Sequence, residues 1–450
     1  MTSPGLLTRE ERELTLKCME MALAKGVQKV RVTASKSVMD LVGTLNGEID
    51  KVTHCLDRSL SVCLFVDGRF GSFATNRFDE AGVEALLDRG IAVTRMLAPD
   101  PFRDLPDPER TAKDALSGTE LNLYDDYYER MTPELRRRLA LDASLFGKRN
   151  GEEWTLVSEE AEYTDSIFDS FLADSQGLRC RHIETSFEYG VEVTVEDKKG
   201  NKYSKYWWDG TPMLKDLDIN SCCPKALDLA VEMLHPKRHR TARTNLVVDT
   251  EVASKVVSPI LRALNAYSLQ QNNSFLLDSL GKQVFPEGLT ILDCCRNAGE
   301  SGSRYFDSEG VATRPAAIIE KGTVRQYFVN TYMAGKMGIA PTIEDATRPK
   351  VMPYPRRGLG RKEILAICGE GILVTGFNGG NSNSATGNFS YGIEGFAFKD
   401  GRITHPIRDM VVTGSFLELW SHLVACGDDA RVCQARLVPT LAFSDVDFSA

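Results

Sequence analysis

One segment is expected to decide the fold: Gly369–Arg408, which reads GEGILVTGFNGGNSNSATGNFSYGIEGFAFKDGRITHPIR. It begins with a short apolar strand, Ile372–Thr375, and ends in a hairpin with arms Phe389–Phe398 and Ile403–Val412. Between the arms lies Asp400-Gly401. An Asp-Gly pair suits a two-residue hairpin turn, because both central residues of that turn need positive φ.

The loop Gly376–Gly387 is rich in Gly and Asn, and the first hairpin arm contains Gly392 and Gly395. Glycine inside a strand costs stability and often marks a bend or a place where another backbone comes close. The loop and this arm together suggest a groove that holds an extended chain. An ordinary buried hairpin with a long surface loop explains the same residues, because Gly and Asn also form turns. The candidate residues for a peptide cleft are Asn378, Asn381, Thr386, Gly387, Asn388, Phe389 and Ser390.

The pattern T-G-N-F-S-x-G-x-x-G-F-x-F-x-D-G-x-I-x-x-P-I-R, from Thr386 to Arg408, resembles a signature of the TldD/PmbA family. Members of this family are often labelled modulators of DNA gyrase, and the sequence is most similar to the PmbA/TldE type of subunit. Two further blocks agree with the family and two agree more loosely: Ser274–Leu292 and Ser303–Val329, then Val66–Asp79 and Asp104–Pro108. The resemblance therefore covers nearly the whole chain.

The resemblance implies a metallopeptidase family whose active members carry His-Glu-x-x-x-His on a helix. Two imidazoles on one helix face bind zinc, and the glutamate acts as a base on the metal-bound water. That helix should fall within Val252–Leu264, where this chain reads Ser258-Pro259-Ile260-Leu261 and has no His or Glu after Glu251. The departure removes both ligands and the base, so peptidase activity of this chain alone is in doubt.

The six histidines offer one further pair at suitable spacing, His235 and His239. Pro236, Lys237 and Arg238 lie between them. Proline breaks a helix interior, and cations repel Zn²⁺, so the pair is a poor zinc site. The other four histidines lack a partner four or five residues away: His54, His182, His405 and His422.

Catalytic subunits of the family also use a cysteine near the C-terminus as a metal ligand. Cys426 and Cys433 lie in that region, but their C-x₆-C spacing does not match a zinc knuckle. Cys433 resembles the cysteine common in PmbA-type chains. For both residues a buried, inert thiol is the simpler interpretation.

Composition excludes some functions. The net charge of −9 argues against broad phosphate-driven binding, so no direct nucleic-acid partner is expected. No apolar run is long enough for a transmembrane helix, and no signal peptide is recognisable, so no membrane partner is expected. The 11 cysteines fit reduced thiols better than disulfides, which predicts a cytoplasmic protein.

The predicted fold class is α+β, with a two-layer N-terminal domain over 1–240 and a strand-rich C-terminal domain of the TldD/PmbA type over 241–450. The N-terminal layers are a helix over Arg9–Lys25, a meander, and a second helix over Asp79–Met96. The meander strands are predicted at Val27–Ala34, Val38–Leu45, Ile49–Leu56 and Ser59–Val66. A closing strand is predicted at Leu437–Phe443.

The resemblance implies that this chain is the non-catalytic partner of a TldD-like metallopeptidase subunit. The two would share a cleft for unfolded or extended peptides, which could bind by pairing with an exposed strand edge. No cofactor is expected in this chain, and zinc is expected only in the TldD-like partner; a homodimer is left open. Two alternatives remain: a peptidase active by itself through a non-standard metal site, and a regulatory protein that binds gyrase without proteolysis.

Overall fold

The structure is a computed structural model that describes residues 4–450. Within that range the α-helices are α1 (Arg9–Ala24), α2 (Glu80–Thr94), α3 (Pro133–Asp142), α4 (Ile219–Glu232), α5 (Ser254–Ala263), α6 (Ala266–Gln270), α7 (Thr331–Met337), α8 (Arg361–Cys368) and α9 (Phe416–Ser421). The strands are β1 (Lys29–Leu45), β2 (Glu48–Val66), β3 (Arg69–Thr75), β4 (Trp154–Asp174), β5 (Arg179–Asp197), β6 (Lys202–Thr211), β7 (Ala242–Val248), β8 (Ile291–Asp293), β9 (Ala316–Glu320), β10 (Thr323–Val324), β11 (Pro349–Val351), β12 (Gly371–Ser382), β13 (Asn388–Lys399), β14 (Arg402–Ser415), β15 (Leu423–Cys426) and β16 (Leu441–Ser449). The predicted α+β class is confirmed.

The described chain forms two compact units. Unit 1 comprises the chain up to Asp228, Arg296–Thr313 and Asn330–Ile343. Unit 2 comprises Leu229–Cys295, Arg314–Val329 and Glu344–Ala450. A single boundary near residue 240 assigns both later segments of unit 1 to the second domain. The first of these segments is joined to the rest of unit 1 by backbone pairing, since the N–H of Ala112 donates to the carbonyl of Gly310 at 3.0 Å. Such distant pairing is not visible in local sequence.

Unit 1 is built on a six-stranded antiparallel sheet in the order β3-β2-β1-β4-β5-β6. Helices α1 and α2 pack on it and form the second layer. Alternate residues of β1 and β2 point toward these helices, and each buried aliphatic side chain contributes about 1.5–3 kcal/mol. The shared core is formed by Cys18, Ala22, Val30, Val32, Leu60, Val62, Leu64, Val83, Leu87 and Ile91.

The predicted meander is wrong in one respect. Four short strands were expected, but β1 and β2 are two long strands that pair from Lys29–Phe65 to Leu45–Glu48, with one register shift between Gly43 and Thr44. The predicted breaks between the short strands include Lys36 and Arg58, yet these two residues pair with each other in the ladder. Backbone pairing continues through polar positions because it does not require apolar side chains.

Unit 2 contains a six-stranded sheet in the order β14-β13-β12-β7-β16-β15 and a four-stranded sheet in the order β10-β9-β8-β11. In the larger sheet β12 runs parallel to β7, and β14 also pairs with β16, so five strands form a closed ring of pairings. The strand expected at Leu437–Phe443 begins later, at Leu441, and continues to Ser449.

The hairpin prediction is confirmed. Strands β13 and β14 pair around Asp400 and Gly401, whose φ values are 51° and 69°. The glycines inside β13 also mark close approach of backbone. A Cβ on Gly392 would lie 2.9 Å from the carbonyl oxygen of Asn378, and one on Gly395 would overlap the carbonyl oxygen of Leu373.

The predicted loop Gly376–Gly387 is mostly strand, and this prediction is corrected. β12 continues to Ser382 and pairs with β13, with irregular register between Val374 and Gly380. Gly379 and Gly380 have φ values of 91° and 93°, so glycine supplies the local bends. Removing about four residues from this segment would therefore delete part of a paired strand. The deletion would not be neutral for stability, as it would be in a free loop.

Gly401→Val should lower the free energy of unfolding by about 2–3 kcal/mol. A valine there would be strained at φ 69°, and its Cβ would lie 2.8 Å from the Cα of Ala366. Gly358→Val is the matched control in unit 2, because φ is 74° and nothing lies within 4 Å of a Cβ. Denaturant unfolding should show the larger loss for Gly401→Val; equal losses would contradict the clash with Ala366.

Candidate functional site

A cleft of about 410 Å³ lies in unit 2, between helix α5 and strands β12 and β13. Its lining residues are Val252, Ser254, Lys255, Ser258, Pro259, Arg262, Phe377, Ser382 and Tyr391. Two of them are cationic and none is acidic, although the whole chain carries a net charge of −9. The cleft therefore carries positive charge, whereas the protein as a whole is acidic.

Helix α5 divides its residues between the core and the cleft. The buried face includes Val256, Val257, Ile260 and Leu261. The cleft face carries side chains spaced four residues apart, which the helical repeat places on one side: Ser254, Ser258 and Arg262 in one row, and Lys255 and Pro259 in the next. The buried indole of Trp420 donates to the carbonyl of Val256 at 3.3 Å and fixes the buried face.

Pro259 lies inside α5 and changes its hydrogen bonding. Proline has no N–H, so the carbonyl of Lys255 loses the donor that a regular helix would supply four residues later. Both residues are on the cleft face. The helix therefore leaves one backbone acceptor without its helical donor on this side.

Aromatic side chains form the opposite wall of the cleft. Phe377 meets Tyr391 edge-on with ring centroids 5.5 Å apart. The Lys255 ammonium lies 4.7 Å from the Tyr391 centroid, which is within the range of a cation–π contact. Behind this wall, Tyr391 stacks on Phe389, and Phe389 stacks on Phe416. This packing holds the wall in place, so the cleft is largely pre-formed.

The seven candidate residues named from the sequence do not line the cleft. Along β13 the side chains alternate, so Phe389 is buried in the aromatic packing while Asn388 and Ser390 are exposed. Gly387 is buried beside Phe275. The remaining candidates are exposed: Asn378 and Asn381 on β12, and Thr386 in the turn between β12 and β13.

Sequence reasoning missed the side chains of this segment that do line the cleft: Phe377, Ser382 and Tyr391. One sequence signal could have indicated Tyr391. Phe389, which was a candidate, and Tyr391 occupy alternate positions of the same strand and therefore share a face. No local signal indicated that α5, more than a hundred residues earlier, forms the other wall.

Strand β12 has a partly open edge next to the cleft. It pairs with β7 from Gly371 to Val374. From Gly376 to Ser382, its ladder partner within residues 4–450 is β13 alone. Phe377 and Ser382, which line the cleft, both belong to this part. An unpaired edge is a template for another extended chain.

The residues of the cleft do not fit a zinc ion. Zinc in proteins is bound by imidazole, thiolate or carboxylate, and the cleft offers hydroxyl groups, aromatic rings and two cations. Across residues 4–450, no group of three or more His, Cys, Asp or Glu side chains is arranged to hold a metal ion. His239 lies near His405, with ring centroids 6.1 Å apart, and neither residue lines the cleft.

Cys426 is fully buried, and burial raises the pKa of its thiol to about 12. A raised pKa of this kind is typical of a thiol buried in apolar surroundings. Cys433 is half-buried. Cys426 is therefore part of the core of unit 2.

Within the described range, none of the helices has the length and apolar character needed to cross a membrane.

The fold and the cleft define a two-unit α+β protein with an open, electropositive cleft beside a strand edge in unit 2. Residues 241–450 match the family model of the PmbA/TldA metallopeptidase C-terminal domain, and residues 124–234 match that of the PmbA/TldA metallopeptidase central domain. The chain belongs to the TldD/PmbA metallopeptidase family.

Two relatives illustrate this membership, and a third structure shows the same fold. A crystal structure from Bacteroides thetaiotaomicron, named as a candidate modulator of DNA gyrase, is 34% identical with a TM-score of 0.93, covering 99% of this chain and 100% of that one. The metalloprotease PmbA homolog of Haemophilus influenzae is 26% identical, covering 95% of this chain and 94% of the relative. The structure of TldE from Thermococcus kodakarensis has the same fold, with a TM-score of 0.83 at 15% identity, covering 97% of this chain and 100% of that one.

Proposed function

We propose that this chain is a PmbA/TldE-type subunit that binds unfolded or extended peptides and leaves their hydrolysis to a TldD-like partner carrying His-Glu-x-x-x-His. One observation carries the proposal. The helix that walls the cleft, α5, presents Ser258 and Pro259 where the family resemblance places metal ligands and the base. The cleft is present in this chain, and its helix offers no side chain suited to metal chemistry.

Electrostatics supports this division of labour. A water-activating zinc site needs three protein ligands, an open position and a nearby base. Lys255 and Arg262 lie on the same helix face and would repel a divalent cation. The same two charges favour a ligand that carries carbonyl oxygens or carboxylates.

The cleft side chains have complementary roles in this proposal. A peptide segment lies along the open edge of β12 between Gly376 and Ser382 and pairs with its backbone. Phe377 and Tyr391 contact apolar side chains of the peptide, and Lys255 and Arg262 bind its carbonyl or carboxylate oxygens. This mode is sequence-tolerant, because backbone groups supply most of the hydrogen bonds.

The names of the relatives support a role in proteolysis. The Haemophilus influenzae relative is named a metalloprotease, and a second relative, from Escherichia coli O157:H7, is named metalloprotease PmbA. The fold is also that of a protein named TldE. These names are consistent with a subunit that takes part in peptide cleavage.

The test is reconstitution. The chain should be purified without a polyhistidine tag, its zinc content measured by mass spectrometry, and an unstructured peptide assayed with and without an H-E-x-x-x-H paralogue. We expect no stoichiometric zinc and no cleavage by this chain alone, and chelator-sensitive cleavage on mixing. A paralogue whose motif glutamate is replaced by glutamine is the control, and its mixture should be inactive.

Other outcomes would favour the alternatives. Stoichiometric zinc with chelator-sensitive cleavage by the single chain would overturn the proposal in favour of an independent peptidase. Co-purification with gyrase, with no cleavage in any mixture, would favour a regulatory binding protein. Cleavage by the paralogue at the same rate without this chain would show that the chain is not its functional partner.

A further inference from the structure

A second cavity in unit 2, separate from the cleft, is lined by basic residues. Its volume is about 640 Å³, and its lining residues are Pro236, Lys237, Arg238, His239, Arg408, Asp409, Met410 and Ala450. Lys237 and Arg238 are exposed, and neither forms an ion pair within the described part of the chain. The one acidic side chain of the lining, Asp409, pairs with Arg408 at 3.5 Å. Counted over its side chains, the lining therefore carries more positive than negative charge.

The backbone brings these residues together by two specific features. Lys237 donates its N–H to the carbonyl of Pro406 at 3.0 Å, which ties the basic segment to β14. In β14, Arg408 and Asp409 together oppose the single residue Glu394 of β13, which is a β-bulge. Bulges redirect side chains and are frequent next to functional sites.

The bulge is held in an uncommon conformation. Asp409 has a φ of 61°, which non-glycine residues seldom adopt. A regular strand would alternate these side chains across the two faces of the sheet. The bulge instead places Arg408, Asp409 and Met410 all in the lining of the cavity.

The excess of positive charge also affects the pKa of a neighbouring imidazole, that of His405. His405 lies 6.1 Å from His239, ring to ring. Burial, and then the charges of Lys237 and His239, lower the pKa of His405. An anion bound here would relieve this repulsion.

We propose that this cavity binds a small anion carrying two or more phosphate groups. Lys237, Arg238 and Arg408 supply permanent cations, and His239 supplies a ring N–H. Arg and Lys bind phosphate oxygens through charge-assisted hydrogen bonds. The volume falls in the range of small-molecule sites. An extended nucleic acid is disfavoured, because the chain as a whole is acidic and the basic residues surround a cavity rather than a long stripe.

The test is calorimetric titration of the full chain with inorganic triphosphate at fixed ionic strength. Arg408→Gln and Lys237→Gln should each weaken binding about tenfold or more. Arg402→Gln is the matched control, because Arg402 is an exposed arginine on the same strand and does not line the cavity, and it should leave binding unchanged. The side chains of Arg408, Lys237 and Arg402 are all exposed, so each variant should still fold. Circular dichroism checks that the fold is retained. In a parallel NMR titration, triphosphate should raise the pKa of His405.

A second arm distinguishes the sources of phosphate. ATP binding more tightly than inorganic triphosphate would identify a nucleotide, and equal binding would identify an oligophosphate. Three results would overturn the proposal. They are no binding at millimolar triphosphate, binding of succinate as tight as that of triphosphate, or an equal loss of triphosphate affinity in Arg402→Gln and Arg408→Gln. Binding of single-stranded DNA without binding of triphosphate would also overturn it.

Discussion

Gly395→Ala is expected to lower the free energy of unfolding by about 3 kcal/mol or more, at the upper end for overpacking. Val374 of β12 pairs directly with Gly395 of β13. A Cβ at this position would overlap the carbonyl oxygen of Leu373 and lie 3.0 Å from the Cα of Val374. Those atoms are backbone inside a paired strand, so they cannot move aside as a side chain can.

The matched control is Gly414→Ala on β14, in the same hairpin. A Cβ there would lie 3.4 Å from the ring of Phe389, which is ordinary contact, and φ is not positive. Denaturant unfolding should therefore show a change within about 1 kcal/mol for the control. Equal stability of the two variants would mean that β12 and β13 are not in the close register described above.

Ser258→Trp is expected to reduce peptide binding about tenfold or more without unfolding the protein. Ser258 is half-buried and lies on the cleft face of α5, so an indole there would fill the space between the helix and Phe377. Serine and tryptophan have similar helix propensities, and the buried face of α5 is unchanged. Fluorescence anisotropy of a labelled unstructured peptide measures the effect, and thermal melting checks the fold.

Ser390→Trp is the control with the same substitution on the other face of the sheet. Ser390 is exposed and adjoins Tyr391, whose side chain lines the cleft from the opposite face. The Ser390→Trp variant should bind peptide as tightly as the unmodified chain does. If Ser390→Trp blocks binding while Ser258→Trp does not, the peptide lies on the face where Asn388 and Ser390 are exposed, and the cleft proposal fails.

The sequence was informative wherever structure depends on neighbouring residues. Asp400-Gly401 predicted a turn, because its backbone conformation is restricted locally, and the φ values agree. Gly392 and Gly395 predicted close approach of another backbone, and the structure supplies that backbone from β12. Local patterns were less able to locate ends: β12 runs seven residues beyond the predicted end at Thr375, because glycine-rich sequence weakens the strand signal without preventing pairing.

The sequence by itself also determined that α5 carries Ser258 and Pro259 and has no His or Glu, since this depends only on which residues are present. Tertiary structure decided where the cleft lies. Alternation showed that Phe389 and Tyr391 share a face, but not that α5 packs beside Tyr391 with Lys255 at 4.7 Å from its ring. Pairing between distant segments also decided that β12 leaves an edge open after β7 ends, and that a bulge in β14 brings Arg408 to Lys237. These contacts join residues that are far apart in the chain, so their formation depends on the packing of whole elements and leaves no local pattern.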